Sequence, residues 1–420
     1  MLTGIAILVV RLIMIALMYV KKISALLALP IMAILFAVIA REPLDYILTE
    51  VLGKGPIRLS SAYIAAIFGG ILASYISNMK ITDGIIRSVA ELAGDRPFIV
   101  ALSLMVVTAL LFTTLGGLGA VIMTGSIIFP ILLSLGTPPI LAAGIMLIGI
   151  SAGGTLNIAG WQLYIDFLGV TQQDVKSFAL YIAPLYLITG VVVLILGMSN
   201  RKLMKAWAID IQKFQKKPKE KLHPLAYLSP IIPLLAVLIF NVPIIPAFIL
   251  GIIYTLVSTW RKGSINLMTG SFFKGTESVL PAVFLMIGIG MLLNSVTHPN
   301  VSEALSPFME MIIPGNRLMF ILIFTILAPL ALYRGPLNIW GMGSGLAGIL
   351  LATNTLSPKA IMAILMSVGC IQGVCDQTNT LNVWIANYLS VDVLTITKKL
   401  LPFIWVLVFF ALTIAAFKYF

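Results

Sequence analysis

The chain carries two sets of apolar runs, most of them long enough to cross a bilayer, and this pattern restricts its fold more than any motif does. The first set is Leu2–Val20, Ile23–Ala40, Ser60–Ile76, Ile140–Phe167 and Ser177–Met198. The second is Pro224–Phe240, Val242–Thr259, Ser278–Ser295, Pro358–Leu389 and Leu400–Phe420. About 17 to 25 apolar residues span the hydrocarbon as a helix. Lipid offers no partner to a bare peptide group, so only helices or closed barrels cross it. With 60% hydrophobic and 10% charged residues, the chain has more apolar surface than a soluble domain buries. The expectation is an all-α polytopic membrane protein.

The net charge, 27 − 15 = +12, sits largely in short connections, where it sets orientation and does not indicate nucleic-acid binding. The central link holds Arg201, Lys202, Lys205, Lys213, Lys216, Lys217, Lys219 and Lys221 against Asp210 and Glu220, which places it in the cytoplasm. An odd number of spans per half then puts the N- and C-termini outside. Lys21-Lys22, Arg261-Lys262 and Lys398-Lys399 fall inside, while Thr297–Arg317, with Glu303 and Glu310, falls outside. Leu2–Val20 has Arg11 at its centre and no clear small-residue cleavage site, so it reads as a retained first span. Cys370 and Cys375 do not have metal-motif spacing, and His223 and His298 are isolated; no cofactor is expected beyond a bound Na+.

Two of the apolar runs are interrupted. Gly153-Gly154-Thr155-Leu156-Asn157 sits where a helix should continue, and Thr378-Asn379-Thr380-Leu381-Asn382 does the same in the second half. Glycine and asparagine there favour an opened backbone. Inside a membrane such backbone survives only where it is buried in protein or lines a cavity. Matched breaks in two halves point to a transporter's binding site. The competing role is an ordinary polar kink between packed helices.

The halves repeat. Gly94-Asp95-Arg96 recurs as Gly315-Asn316-Arg317, Gly125-Ser126 as Gly343-Ser344, Thr155-Leu156-Asn157 as Thr380-Leu381-Asn382, and Phe167-Leu168-Gly169-Val170 as Tyr388-Leu389-Ser390-Val391. Four matches in one order at nearly one spacing indicate duplication. Each half adds an apolar pair, Pro97–Leu115 with Ala120–Leu135 and Leu318–Tyr333 with Ile339–Ala352, read here as re-entrant hairpins; two full spans is the rival reading. The predicted plan is two inverted repeats, each of five transmembrane helices plus a hairpin. Residues 1–200 form the first (1–77 scaffold, 78–96 interfacial arm, 97–199 transport part). Residues 201–222 form a basic cytoplasmic linker. Residues 223–420 form the second (223–296 scaffold, 297–317 arm, 318–420 transport part).

Each hairpin tip should face a broken helix. Free N–H groups and a positive helix end suit an anion, and free carbonyls with Asn and Thr oxygens suit a small cation. The candidate substrate residues are Gly116, Gly117, Gly119, Gly154, Thr155 and Asn157 in the first half. In the second they are Arg334, Gly335, Asn338, Thr378, Asn379 and Asn382. Candidates for the coupling ion are Ser151, Thr155, Asn157, Asp376, Thr378, Thr380 and Asn382, with Na+ at the hairpin tips. Asp376 is a carboxylate at membrane depth, where a charge costs about 2.5 kcal/mol or more. Arg334 could hold a substrate carboxylate through two parallel bonds. Trp161, Gln162, Tyr164, Trp384 and Asn387 are weaker pocket candidates; Arg11 and Asp166 read as structural.

On these residues the chain resembles the citrate–metal symporters of the ion transporter superfamily, and more distantly the dicarboxylate–sodium and gluconate carriers. Lys21-Lys22-Ile23-Ser24-Ala25-Leu26-Leu27-Ala28-Leu29-Pro30, Gly94-Asp95-Arg96-Pro97, Ala152–Asn157 and Asp376–Tyr388 carry the likeness. The resemblance implies an elevator-type secondary transporter in the cytoplasmic membrane, a homodimer, moving a small organic anion with Na+ or H+. A Na+/H+ antiporter on the same architecture is the alternative. A channel and a membrane-embedded enzyme fit less well, since no catalytic constellation or nucleotide-binding loop is present in the sequence.

Overall fold

The structure is a computed structural model describing residues 2–20, 22–94, 96–199, 222–310, 314–341 and 343–420. The basic linker at 201–221, Lys21 and Asp95 lie outside the described residues. Among those described, every regular element is helical. Among the described residues, seven helices are long and apolar enough to cross a membrane, or eight if Pro139–Thr155 and Ile158–Leu168, bent by 52°, count as one span.

The order of elements in the first half recurs in the second. Helices Leu2–Tyr19 and Ala25–Ile39 correspond to Ile232–Phe240 and Ile244–Ser258. The span Ser60–Asn78 corresponds to Ser264–Val296. The short helices Ile81–Ala93 and Pro299–Glu310 lie within the predicted arms. Hairpin limbs Pro97–Phe112 and Gly117–Ser134 correspond to Arg317–Leu327, extended by a 3-10 turn at Ala328–Arg334, and Gly343–Ala352. Broken helices follow, Pro139–Thr155 with Ile158–Leu168 and Pro358–Cys375 with Thr380–Tyr388, then the last spans Gln172–Ser199 and Val393–Tyr419.

Local chemistry sets many of these boundaries. Pro97, Pro139 and Pro358 open helices at positions whose N–H has no intrahelical partner anyway. Gly169 (φ 68°) and Asn241 (φ 51°) close helices in the left-handed conformation. A wide π-turn runs over Ile47–Lys54 ahead of Ser60–Asn78, and Ser264–Val296 begins well before the apolar run that predicts it, so both spans are longer than their hydropathy suggests.

These two long spans cross with their backbones in contact. A Cβ on Gly70 would lie 2.5 Å from the Gly275 carbonyl oxygen, and one on Gly275 2.5 Å from Ile71 Cα. Without a strong hydrophobic drive between helices in lipid, such small-residue contacts hold membrane bundles together. Asn78 donates to Ser271 Oγ at 2.8 Å on the same interface.

Candidate functional site

The first break is shorter than the sequence suggests. The helix runs on through Gly153, Gly154 and Thr155, and the chain turns only at Leu156-Asn157. Gly153 is there for packing. A Cβ on it would collide with the Ala109 carbonyl, and one on Gly149 would lie 2.8 Å from the Met105 carbonyl. These two glycines let the first hairpin's leading limb lie directly on the broken helix.

Asn157 then fixes the turn. Its Oδ1 accepts the Ala159 N–H at 3.1 Å, capping Ile158–Leu168, and its Nδ2 donates to the Phe112 and Leu115 carbonyls, each at 3.2 Å. The side chain thus staples the break to the first hairpin tip with every polar atom engaged. Trp161 Nε1 donates to the Thr155 carbonyl at 2.8 Å, and Thr155 Oγ1 to the Ser151 carbonyl at 2.9 Å. Beside this staple the backbone is bare: a Cβ on Gly116, Gly119, Gly154 or Gly160 would meet nothing within 4 Å. Gly117 holds φ 78°, a conformation glycine adopts without strain.

In the second half the capping residue is Asn379, whose Oδ1 accepts the Leu381 N–H at 3.2 Å. It stands immediately before the restarted helix Thr380–Tyr388, as Asn157 stands immediately before Ile158–Leu168. The structural offset is therefore 379 − 157 = 222. This corrects the pairing of Asn157 with Asn382, which followed the repeated Thr-Leu-Asn letters; the cap geometry brings this pair into line with the spacing of the other matches. Asn382 is buried and donates to the Val374 and Asp376 carbonyls at 3.1 and 3.0 Å. Its Oδ1 has no partner among the described residues.

Asp376 staples the second break to the second tip. Oδ1 accepts the Tyr333 N–H at 3.0 Å, the Thr378 N–H at 2.9 Å and the Thr378 hydroxyl at 2.8 Å; Oδ2 accepts the Arg334 N–H at 3.3 Å. Tyr333 and Arg334 are consecutive residues at φ 56° and 54°, and the N–H of each donates to this carboxylate. The carboxylate is 1% exposed and held on all sides by donors. Tyr333 is missing from the sequence-based candidates, because nothing in the letters marks a non-glycine residue for positive φ.

The remaining candidates fall in different places. Asn338 spends its amide on the Ala331 carbonyl and the Trp340 N–H, shaping its own tip. Gly335 is crowded by the Leu330 and Leu332 carbonyls. Arg334 Nη1 donates to the Trp340 carbonyl at 3.2 Å, and the guanidinium has no carboxylate within ion-pair distance among the described residues. Thr380 is exposed. Ser151 faces Gly373 across the contact between the two broken helices, where a Cβ would lie 2.7 Å from its Oγ. Trp384 packs on Gly125 and stacks with Phe129 and Tyr388; Asn387 is exposed. Gln162 holds Asp166, whose other oxygen accepts the Ala62 N–H at 2.8 Å and so caps the span Ser60–Asn78 from another element.

No protein-family model matches the chain, and no curated protein matches it. Among solved structures, the YdaH transporter of Alcanivorax borkumensis, described as having an unusual topology, aligns over 88% of this chain and 86% of its own, with a TM-score of 0.60 and 13% identity. The likeness is one of fold: the chain is a multi-pass helical membrane protein whose helices are arranged like those of that structure.

Proposed function

We propose that the protein is a secondary active transporter carrying a small organic anion, of the di- or tricarboxylate kind, across the cytoplasmic membrane with Na+ or H+ by an elevator motion. The observation that carries this reading is the pair of hairpin tips, each stapled to the break of a broken helix and joined through one contact between those helices. On this reading the repeats are inverted, the tips are re-entrant, and the chain works as a homodimer. Residues 97–199 and 318–420 move against 1–77 and 223–296, with the arms at 78–96 and 297–317 between them. Contacts fit the predicted topology in putting the loops it assigns to one side on one face; which side that is rests on the basic clusters. Loops assigned outside meet one another: Lys359 pairs with Asp174 at 2.8 Å, Ser177 meets Tyr419 at 3.1 Å, and Lys176 reaches the Leu238 carbonyl at 2.8 Å.

The bare backbone at Gly116, Gly119 and Gly154 offers room for the anion, and Arg334 a cation without a carboxylate partner. The unpartnered Asn382 Oδ1 suits a small cation, and Ser151, Thr155 and Thr378 are further candidate oxygens in or beside the two breaks. Asp376 would couple by its clamp, since adding a proton removes acceptor capacity from a group holding four donors. The alternative, a Na+/H+ antiporter, is favoured by this same buried carboxylate. The deciding experiment is a thermal-shift screen of purified protein with carboxylates and sugar acids crossed with Na+, K+ and pH. At a hundredfold its dissociation constant a ligand stabilises by about 2.7 kcal/mol. A carboxylate that stabilises only with Na+, or only at low pH, supports symport. Stabilisation by Na+ alone across the panel supports the antiporter, and no response to any carboxylate or cation removes both.

A further inference from the structure

The turn after the second helix buries a carboxylate that transport as proposed does not use. Glu42 follows Ala25–Ile39; its side chain is 0% exposed, and neither oxygen has a hydrogen-bond partner among the described residues. Its Oε1 lies 3.8 Å from Nδ1 of His298, which sits in the short link between Ser264–Val296 and Pro299–Glu310. The His298 ring meets Tyr46 edge-on, centroids 4.4 Å apart. A second tie joins the same segments, Asn300 Nδ2 donating to the Ala40 carbonyl at 3.3 Å.

His298 faces Glu42 from the link and Tyr46 from the 44–57 segment, with Glu50 and Arg58 beyond Tyr46. Arg41 and Glu303 are exposed, and Arg11 in the first helix is buried with no carboxylate in ion-pair range among the described residues. The Tyr46 hydroxyl is already donated to the Asn294 carbonyl at 2.9 Å, so it cannot serve an ionised Glu42.

We propose that Glu42 and His298 form a proton-operated latch that holds the second arm against the scaffold. Protonated, Glu42 is neutral and suits its donor-poor pocket; ionised, it lacks the hydrogen bonds a buried anion needs, and the segments it joins loosen. Burial raises the Glu42 carboxyl from 4.5 to about 7. The folded protein therefore keeps a proton that the unfolded chain loses at lower pH. The stabilisation is full below pH 4.5 and is lost as pH rises through about 7. The latch rests on the buried, unpartnered Glu42 beside His298, and its pH range on the effect of that burial; its effect on transport rests on the elevator reading.

The test is hydrogen exchange of the full chain in lipid nanodiscs, corrected for intrinsic rates, and it reports the latch whether or not the protein transports. Peptides covering 298–308 should lose protection as pH rises from about 4.5 to about 7, by at most roughly tenfold per pH unit for one proton, and level off above that. Glu42→Gln should make that protection independent of pH; Glu42→Leu serves if the amide variant fails to fold. A difference infrared band from a carboxyl titrating near neutrality should vanish in the same variant. Wild-type protection that does not change with pH, or an unchanged pH profile in both variants, overturns the proposal.

Discussion

The two tips solve one problem with opposite chemistry. At the first, an amide on the break donates to carbonyls of the hairpin, and the left-handed residue of the turn is glycine. At the second, a carboxylate on the break accepts from N–H groups of the hairpin, and the left-handed residues are Tyr333 and Arg334. The first staple is neutral and stands beside bare backbone. The second is charged, buried and strained, since non-glycine residues at positive φ cost of order 1 to 3 kcal/mol each. Two halves of similar plan therefore differ in the chemistry of the fastening: an amide in the first, a carboxylate in the second.

The largest expected effect comes from Asp376→Ala, which leaves three peptide N–H groups without an acceptor. It should destabilise the protein by about 3 kcal/mol or more in denaturant titration, with formate restoring part of the loss. A loss under about 1 kcal/mol would make the clamp dispensable. Asn157→Ala removes a cap and two tip bonds and should cost about 1 to 2 kcal/mol, with no dependence on pH between about 5 and 8. A pH-dependent cost there would erase the contrast between the staples. Gly117→Ala should cost about 1 kcal/mol through its positive φ. Gly119→Ala meets open space and should change stability by less than about 0.5 kcal/mol. Its readout is ligand-induced thermal shift: unchanged binding would remove the bare backbone of the first tip from the substrate site.

Much of this plan can be read from the letters. Apolar runs locate the helices, the paired interruptions mark where two of them bend or restart, and Asp376 stands out because a carboxylate in an apolar run needs a reason. Less visible is what each polar side chain bonds to. Asn157 and Asn382 share a Thr-Leu-Asn context yet do different things, because capping depends on where the helix restarts and not on the preceding letters. Gly153 reads as a breaker and serves as a contact surface; the clue was Gly149 four residues earlier, one helical turn up the same face. Glu42 lies in a turn, where a charged residue looks unremarkable until its burial is known.

The close seating of the first hairpin on its broken helix has a mechanical consequence. At Gly149 and Gly153 the two backbones touch with no side chain between them to change rotamer. At the structural offset, 149 + 222 = 371 and 153 + 222 = 375, the second half carries Ile371 and Cys375, both buried. The first pair can shift only as one stiff body. The second half carries side chains at the equivalent positions, so its broken helix has no such pair of backbone-only contacts there.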